Sequence, residues 1–300
     1  MNDPQTRGYV IVSILVTANR FFLCHYSSRL GWIAQRLSKL KIKSSNIFNQ
    51  KVYLLIGSCI IYWIMNIALA IWTYVEDPEM LYIEIHTFGH SFNDAMLNKT
   101  LMIILSSFYI AFFAMPANAF MTFYISVCHD IEDIFHSYKK TMTTQSMPDY
   151  GRLTNTYLSL RKFVVEIDNR LNCMVFWAIL ANVFILYFGV TIITGEGAIS
   201  VPQRISTSFA LVYNAFIFFY ACIWANRVSS SAASIAEKAS HLEENPKKSP
   251  VMHNRYLLVV NQSVYMTVWG VLPLKKSFVL ASIGTMITYS VLIKDILSEN

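Results

Sequence analysis

Apolar residues in this chain come in long uncharged runs, separated by segments dense in charge. Six runs are long enough to cross a bilayer, which takes about 20 apolar residues in a helix: residues 8–25, 52–74, 101–126, 173–194, 205–226 and 278–293. The first carries Asn19 and Arg20, but Arg20 lies near one end, where a long stem lets the guanidinium reach the headgroups. The pattern predicts an all-α polytopic membrane bundle of about six transmembrane helices.

The connecting segments keep a helical period of their own. Leu153, Tyr157, Leu160, Val164, Ile167 and Leu171 repeat at four and three, a heptad-like seam running into the fourth span. Ile131, Ile134, Phe135 and Tyr138 extend the third span, and Ala232, Ile235, Ala239 and Leu242 extend the fifth. Residues 142–151, with Pro148 and Gly151, read as a turn. Residues 245–250 contain Pro246 and Pro250 and break the fifth helix, and a further helix is predicted over 253–269, before a hinge at Gly270 and Pro273. Helices that outrun the bilayer with apolar seams must pack against something in water.

Charge alternates from one connection to the next. Arg29, Arg36, Lys39, Lys41, Lys43 and Lys51 fall between the first two spans. The second connection has Lys99 against Glu76, Asp77, Glu79, Glu84 and Asp94, and the fourth has only Arg204. The third and fifth are again basic, for example Lys139, Lys140 and Arg170, then Lys247, Lys248 and Lys275. By the positive-inside rule the first, third and fifth connections are cytoplasmic and both ends of the chain extracellular. This divides the chain into a helix bundle over 1–272, with cytoplasmic helical extensions at about 129–172 and 227–272, and a final helical segment over 273–300. With 55% apolar and 14% charged residues, the net charge of +6 is a topology signal. It does not imply nucleic acid.

In the last span, Ala281, Thr285, Thr288, Leu292 and Asp295 share one face, opposite Leu280, Ile283, Ile287 and Val291. Small and hydroxylated residues on one face serve either close helix packing or a water-filled path, and composition alone leaves both open. The order Gly270, an apolar pair, Pro273, a basic residue and Ser277 precedes the span, and Thr288-Tyr289 stands five residues before a polar one. This arrangement resembles the C-terminal signature of insect gustatory receptors, carried here by Gly270, Ser277, Thr288 and Tyr289. Asp295 stands where that signature has glutamine, and Lys294 where it is usually apolar. The resemblance implies a ligand-gated, non-selective cation channel in the plasma membrane, a homo- or hetero-tetramer whose last helix lines the pore. It implies a water-facing Thr285 and Thr288, an apolar gate at Leu292 one turn before Ile296, and Asp295 in a ring at the mouth. The family has seven helices with an external C-terminus, so this chain matches its last six. A G-protein-coupled seven-helix receptor or a membrane transporter are the alternatives.

Partners implied by the resemblance are a small-molecule tastant or other ligand, permeating cations and membrane lipid. The external halves of the spans are rich in aromatics with few polar groups, which suits a small, mostly apolar ligand. Tyr62, Asn66, Tyr109, Phe112, Tyr187 and Tyr213 are the candidate pocket residues. No span between 52 and 226 carries an internal Lys, Arg, Asp or Glu, no nucleophile stands beside a base, and no glycine-rich phosphate loop occurs. Enzyme chemistry and cofactors are therefore not expected. His86, His90 and Asp94 are spaced as metal ligands, but only three groups converge and a solvated face explains them as well. Asn98 begins a glycosylation sequon close to a span. The five cysteines lie in spans or at their cytoplasmic ends, so no external disulfide framework is expected.

Overall fold

The computed structural model describes residues 4–40, 46–76, 96, 97, 100, 101, 104, 108, 115–144, 149–194, 201–242, 250–285 and 288. The elements are α1 (Pro4–His25), α2 (Ser27–Leu40), α3 (Asn46–Glu76), α4 (Met115–Thr144), α5 (Tyr150–Thr194), α6 (Val201–Ser240) and α7 (Pro250–Val260). A two-stranded hairpin, β1 (Thr267–Val268) with β2 (Leu272–Pro273), follows and leads into α8, residues 276–285. Pro4, Pro116, Pro202 and Pro250 all stand in the first turn of a helix, where the missing N–H has no partner to lose. Asp149 caps α5, its carboxylate accepting from the Gly151 and Arg152 N–H groups at 3.1 and 3.4 Å.

Two helices exceed any bilayer. At 45 and 40 residues, α5 and α6 are about 68 and 60 Å long at 1.5 Å per residue, roughly twice the hydrocarbon thickness. Both contain stretches apolar enough to cross a membrane, and a shorter apolar stretch lies in α3 over Ile56–Leu69. The remainder of α5 and α6 protrudes, and there the predicted seam is the core. Leu153, Tyr157, Leu160, Val164, Ile167 and Leu171 are all buried, as are Ile131, Phe135, Tyr138, Ala232, Ile235 and Ala239. α6 is central, packing against α3, α4, α5 and α7.

Inside the protruding part a knot of tyrosines joins three helices. The Tyr138 hydroxyl on α4 donates to the Leu153 carbonyl on α5 at 3.0 Å and lies 3.1 Å from the Tyr256 hydroxyl on α7. Tyr256 in turn donates to the Met142 sulfur at 3.0 Å, and Tyr157 to the Val260 carbonyl at 3.4 Å. Burial pushes the Tyr157 hydroxyl up to about 12, and raises Tyr138 as well, so these groups stay neutral donors. A buried hydroxyl left unpaired is costly, so the knot fixes one register of the three helices.

Two features differ from the expectation. Residues 26–40 were expected only as a basic connection, yet Ser27–Leu40 is a helix with Ile33 and Leu37 buried. The helix expected over 253–269 ends at Val260 instead. Asn261, Gln262 and Ser263 interrupt its apolar pattern, and the backbone past them bonds to α5, as described below. Truncating the seam should cost what a buried aliphatic costs. Ile167→Ala is expected to destabilise the purified chain by about 2–5 kcal/mol, read by denaturant or thermal unfolding, whereas Leu158→Ala on the exposed side of α5 is expected to change little.

Candidate functional site: the final helix and the hairpin that feeds it

The start of α8 is set by a tight turn. Trp269 and Gly270 both have positive φ, 56° and 72°, at the two central positions of a turn inside the three-residue loop between the paired Val268 and Leu272. Val271 N–H closes this turn on the Val268 carbonyl at 3.2 Å, and Leu274 N–H bonds Met266 across the ladder at 2.9 Å. Gly270, read from the sequence as part of a signature, is thus needed for its backbone: a side chain there would be strained and would press on the Asn172 amide.

The hairpin is docked on one stripe of α5, at spacings of four. Asp168, nearly buried, accepts from the Thr267 N–H at 2.7 Å and also from the Thr267 hydroxyl. The Asn172 carbonyl accepts from Trp269 N–H at 3.2 Å, and Phe176 packs on the Trp269 ring at 4.6 Å. Burial raises the Asp168 carboxyl above its ordinary value, while the two Thr267 bonds pull it down.

Beyond the hairpin, α8 shows two unlike sides. Phe278 and Val279 pack on the core, and Ser282 and Ile283 are half-buried. Ala281, Gly284, Thr285 and Thr288 are exposed. Thr285 and Thr288 donate to their own helix, to Ala281 and Gly284 carbonyls at 2.8 and 2.9 Å. Leu280 and Ile283 were expected together on the opposite side. Ile283 does turn inward, but Leu280 is 71% exposed, on the edge of the small-residue face. Ser277 is also exposed. Tyr289, Leu292, Asp295 and Ile296 lie outside the described residues.

The aromatic candidates separate into different places. Tyr62 on α3 stacks on Tyr213 of α6 at 4.0 Å and on Phe209 at 5.9 Å, and the Tyr213 hydroxyl donates to Cys59 sulfur at 3.1 Å. Asn66 spends an amide hydrogen on the Tyr62 carbonyl at 2.7 Å. Tyr187 on α5 stands edge-on to Phe188. Tyr109 and Phe112, like His86, His90 and Asp94, lie outside the described residues. A cleft of about 690 Å³ opens beside the Tyr62–Tyr213 stack, lined by Val201, Arg204, Ile205, Ser208, Phe209 and Val212. Sequence reasoning missed Phe209, which joins stack and cleft. Its place between Ile205 and Tyr213, at spacings of four, was the available signal.

Three metal-type donors meet elsewhere, on one turn of α4: His129, Asp130 and Asp133, all within 4.8 Å of one another. His129 Nδ1 is 3.4 Å from Asp133, and its ring packs on Trp224 at 4.6 Å. All five cysteines are free.

Long α-helices with membrane-length apolar segments and protruding, internally packed ends define a polytopic membrane bundle. Among solved structures, the chain is similar to the insect olfactory receptor OR5 from Machilis hrabei, with a TM-score of 0.56 and 10% identity over 96% of this chain and 79% of that one. It is also similar to the same receptor in complex with eugenol, with a TM-score of 0.62 and 8% identity over 97% of this chain and 80% of that one. The chain therefore has the fold of this insect olfactory receptor. No protein-family model and no curated protein sequence matches it.

The Asp168 contact yields a paired prediction. Asp168→Ala leaves the Thr267 N–H without its acceptor and should cost about 1–3 kcal/mol, whereas Asp168→Asn keeps an acceptor and should cost less. Because the folded-state pKa is raised above the ordinary carboxylate value, the wild type binds the extra proton when folded and loses stability as pH climbs through that window. Asp168→Asn lacks this loss, so its stability relative to wild type should improve from acid towards neutral pH, measured by thermal unfolding across that range.

Proposed function

We propose that this chain is a chemosensory receptor subunit, a ligand-gated non-selective cation channel of the insect gustatory type in the plasma membrane. The observation that carries this reading is the outward small and hydroxylated face of α8, in a chain with the fold of an insect olfactory receptor. A membrane helix that turns Ala281, Gly284, Thr285 and Thr288 away from its own bundle needs either a second protein surface or water against them. Four subunits meeting on that face supply both: neighbours on the flanks and an aqueous axis between.

In this arrangement residues 1–272 form the ligand-binding bundle, and 273–300 form the pore. Both ends of the chain lie outside the cell, and the protruding parts of α4, α5 and α6 lie in the cytoplasm. Leu292 closes the path by dewetting, since a narrow apolar ring is too costly for a hydrated ion to cross. Asp295 adds a ring of carboxylates at the mouth that concentrates cations. The neighbour's complex with eugenol supports a small, mostly apolar ligand, and the cleft at Phe209 beside Tyr62 and Tyr213 is of a size to hold one.

The hairpin explains how ligand and pore communicate. Ligand-induced movement of α5 or α6 reaches α8 through Asp168, Asn172 and Phe176, which hold the chain where the last helix begins.

Patch recording of the expressed chain tests the reading. Leu292→Ala at the cell surface is expected to give constitutive cation current, and a silent Leu292→Ala delivered to the surface would contradict the channel reading. In the same background Asp295→Asn is expected to lower calcium permeability relative to sodium, seen as a shift of reversal potential.

A further inference from the structure

A second cleft, about 820 Å³, lies between α2 and α5 and is strongly basic. Arg29 and Arg36 line it from α2, and Lys162 and Arg170 from α5, with Asn169 between them and Glu166 as its one carboxylate. Glu166 is already engaged, its oxygen 3.0 Å from Arg170. Among the described residues, Arg29, Arg36 and Lys162 form no ion pair with a carboxylate. Four cations facing one engaged carboxylate leave the cleft with a large excess of positive charge.

The cations are also held in place. Trp32 lies beneath two guanidiniums, Arg170 at 3.8 Å and Arg36 at 5.2 Å, and Tyr26 lies beneath Arg29 at 4.1 Å. Burial of Ile33 and Leu37 fastens α2 to the bundle, so the basic face of that helix cannot roll away. Stacking occupies the faces of Arg29 and Arg36 and leaves their edges for planar or tetrahedral oxyanions, while Arg170 gives one arm to Glu166; bidentate bonding to phosphate is what such forks do best. Asn169 adds a neutral donor. The cleft is wide enough for a headgroup bearing several phosphates, more than a single phosphate needs.

Its height decides the source of the phosphates. α2 starts two residues after α1 ends, and Arg170 stands three residues before the apolar part of α5 begins at Cys173. This places the cleft at the headgroup level of the cytoplasmic leaflet, given the orientation proposed above, on which this inference rests. We propose that the cleft between α2 and α5 binds the polyphosphorylated headgroup of an inositol lipid in that leaflet. A bound headgroup would bridge α2 to the same turns of α5 that hold the hairpin, since Asn169 and Arg170 lie between Asp168 and Asn172 in the chain, about 100° and 200° round the helix from Asp168.

The test uses the full chain, purified into phosphatidylcholine nanodiscs containing either phosphatidylinositol bisphosphate or phosphatidylserine, with bound lipid counted by native mass spectrometry. Wild type is expected to retain phosphatidylinositol bisphosphate in preference to phosphatidylserine. The double variant Arg36→Gln/Lys162→Gln, and Arg29→Gln alone as a milder change, should weaken that retention, the double variant by about tenfold or more. A charge-matched control on the exposed side of other helices, Lys140→Gln/Lys238→Gln, should keep it. Soluble inositol trisphosphate serves as competitor. Poor displacement supports the lipid as the occupant, whereas full displacement at equal concentration overturns the lipid source and assigns the site to a free polyphosphate. No preference over phosphatidylserine, or equal loss in the control, overturns the site itself. Because binding is read without current, a chain that retains the lipid yet conducts nothing would sink the channel reading and leave this one standing.

Discussion

The direction of the last helix depends on one carboxylate. Asp168 holds Thr267 by its backbone and its hydroxyl at once, and these bonds bring the chain out of α7 and turn it into α8. Its two oxygens accept both Thr267 donors, which offsets part of the cost of burying the carboxyl. The Trp269–Gly270 turn and the Phe176–Trp269 contact then complete a rigid corner. Without that corner the exposed face of α8 would have no fixed azimuth.

Two solvents shape the two halves of α5. In its protruding half, water drives the aliphatic seam inward, and the tyrosine hydroxyls of Tyr138, Tyr157 and Tyr256 fix register among apolar neighbours. In its membrane half that force is absent, and close approach takes over. Gly189 lies against Leu211, where a side chain would be within 3.0 Å of the Leu211 methyl. One helix therefore carries a water-driven aliphatic seam at one end and a close helix–helix contact at the other. Asp168 lies in the seam half, five residues before the apolar half begins at Cys173.

The seam was legible because its period is unbroken: every one of Leu153, Tyr157, Leu160, Val164, Ile167 and Leu171 is buried. The face of α8 was legible for Ala281, Thr285 and Thr288, but not for Leu280, since periodicity defines a face and packing chooses its centre. α2 was hidden by its charge. Arg29, Arg36 and Lys39 dominate the average over that segment, although Leu30, Ile33 and Leu37 stand at helical spacing. The hairpin had only a partial local signal: Gly270 and Pro273 read as a hinge, with nothing to mark the strands beside it. Thr267 meets a carboxylate 99 residues away, and β-branched Thr267 and Val268 inside an apolar stretch read equally well as helix. Phe209 was overlooked because its spacing of four from Ile205 and Tyr213 is shared by other aromatics in the same helix.

An aqueous ion path along the exposed face of α8 is the claim on which the functional reading rests. Labelling of Thr288→Cys and Ile283→Cys by a charged, membrane-impermeant maleimide, on intact cells and with the wild-type cysteines as background, tests it directly. Water at the axis predicts rapid modification at position 288 and protection at 283, where the side chain turns into the bundle. Protection at 288, whether by lipid or by protein, would contradict it.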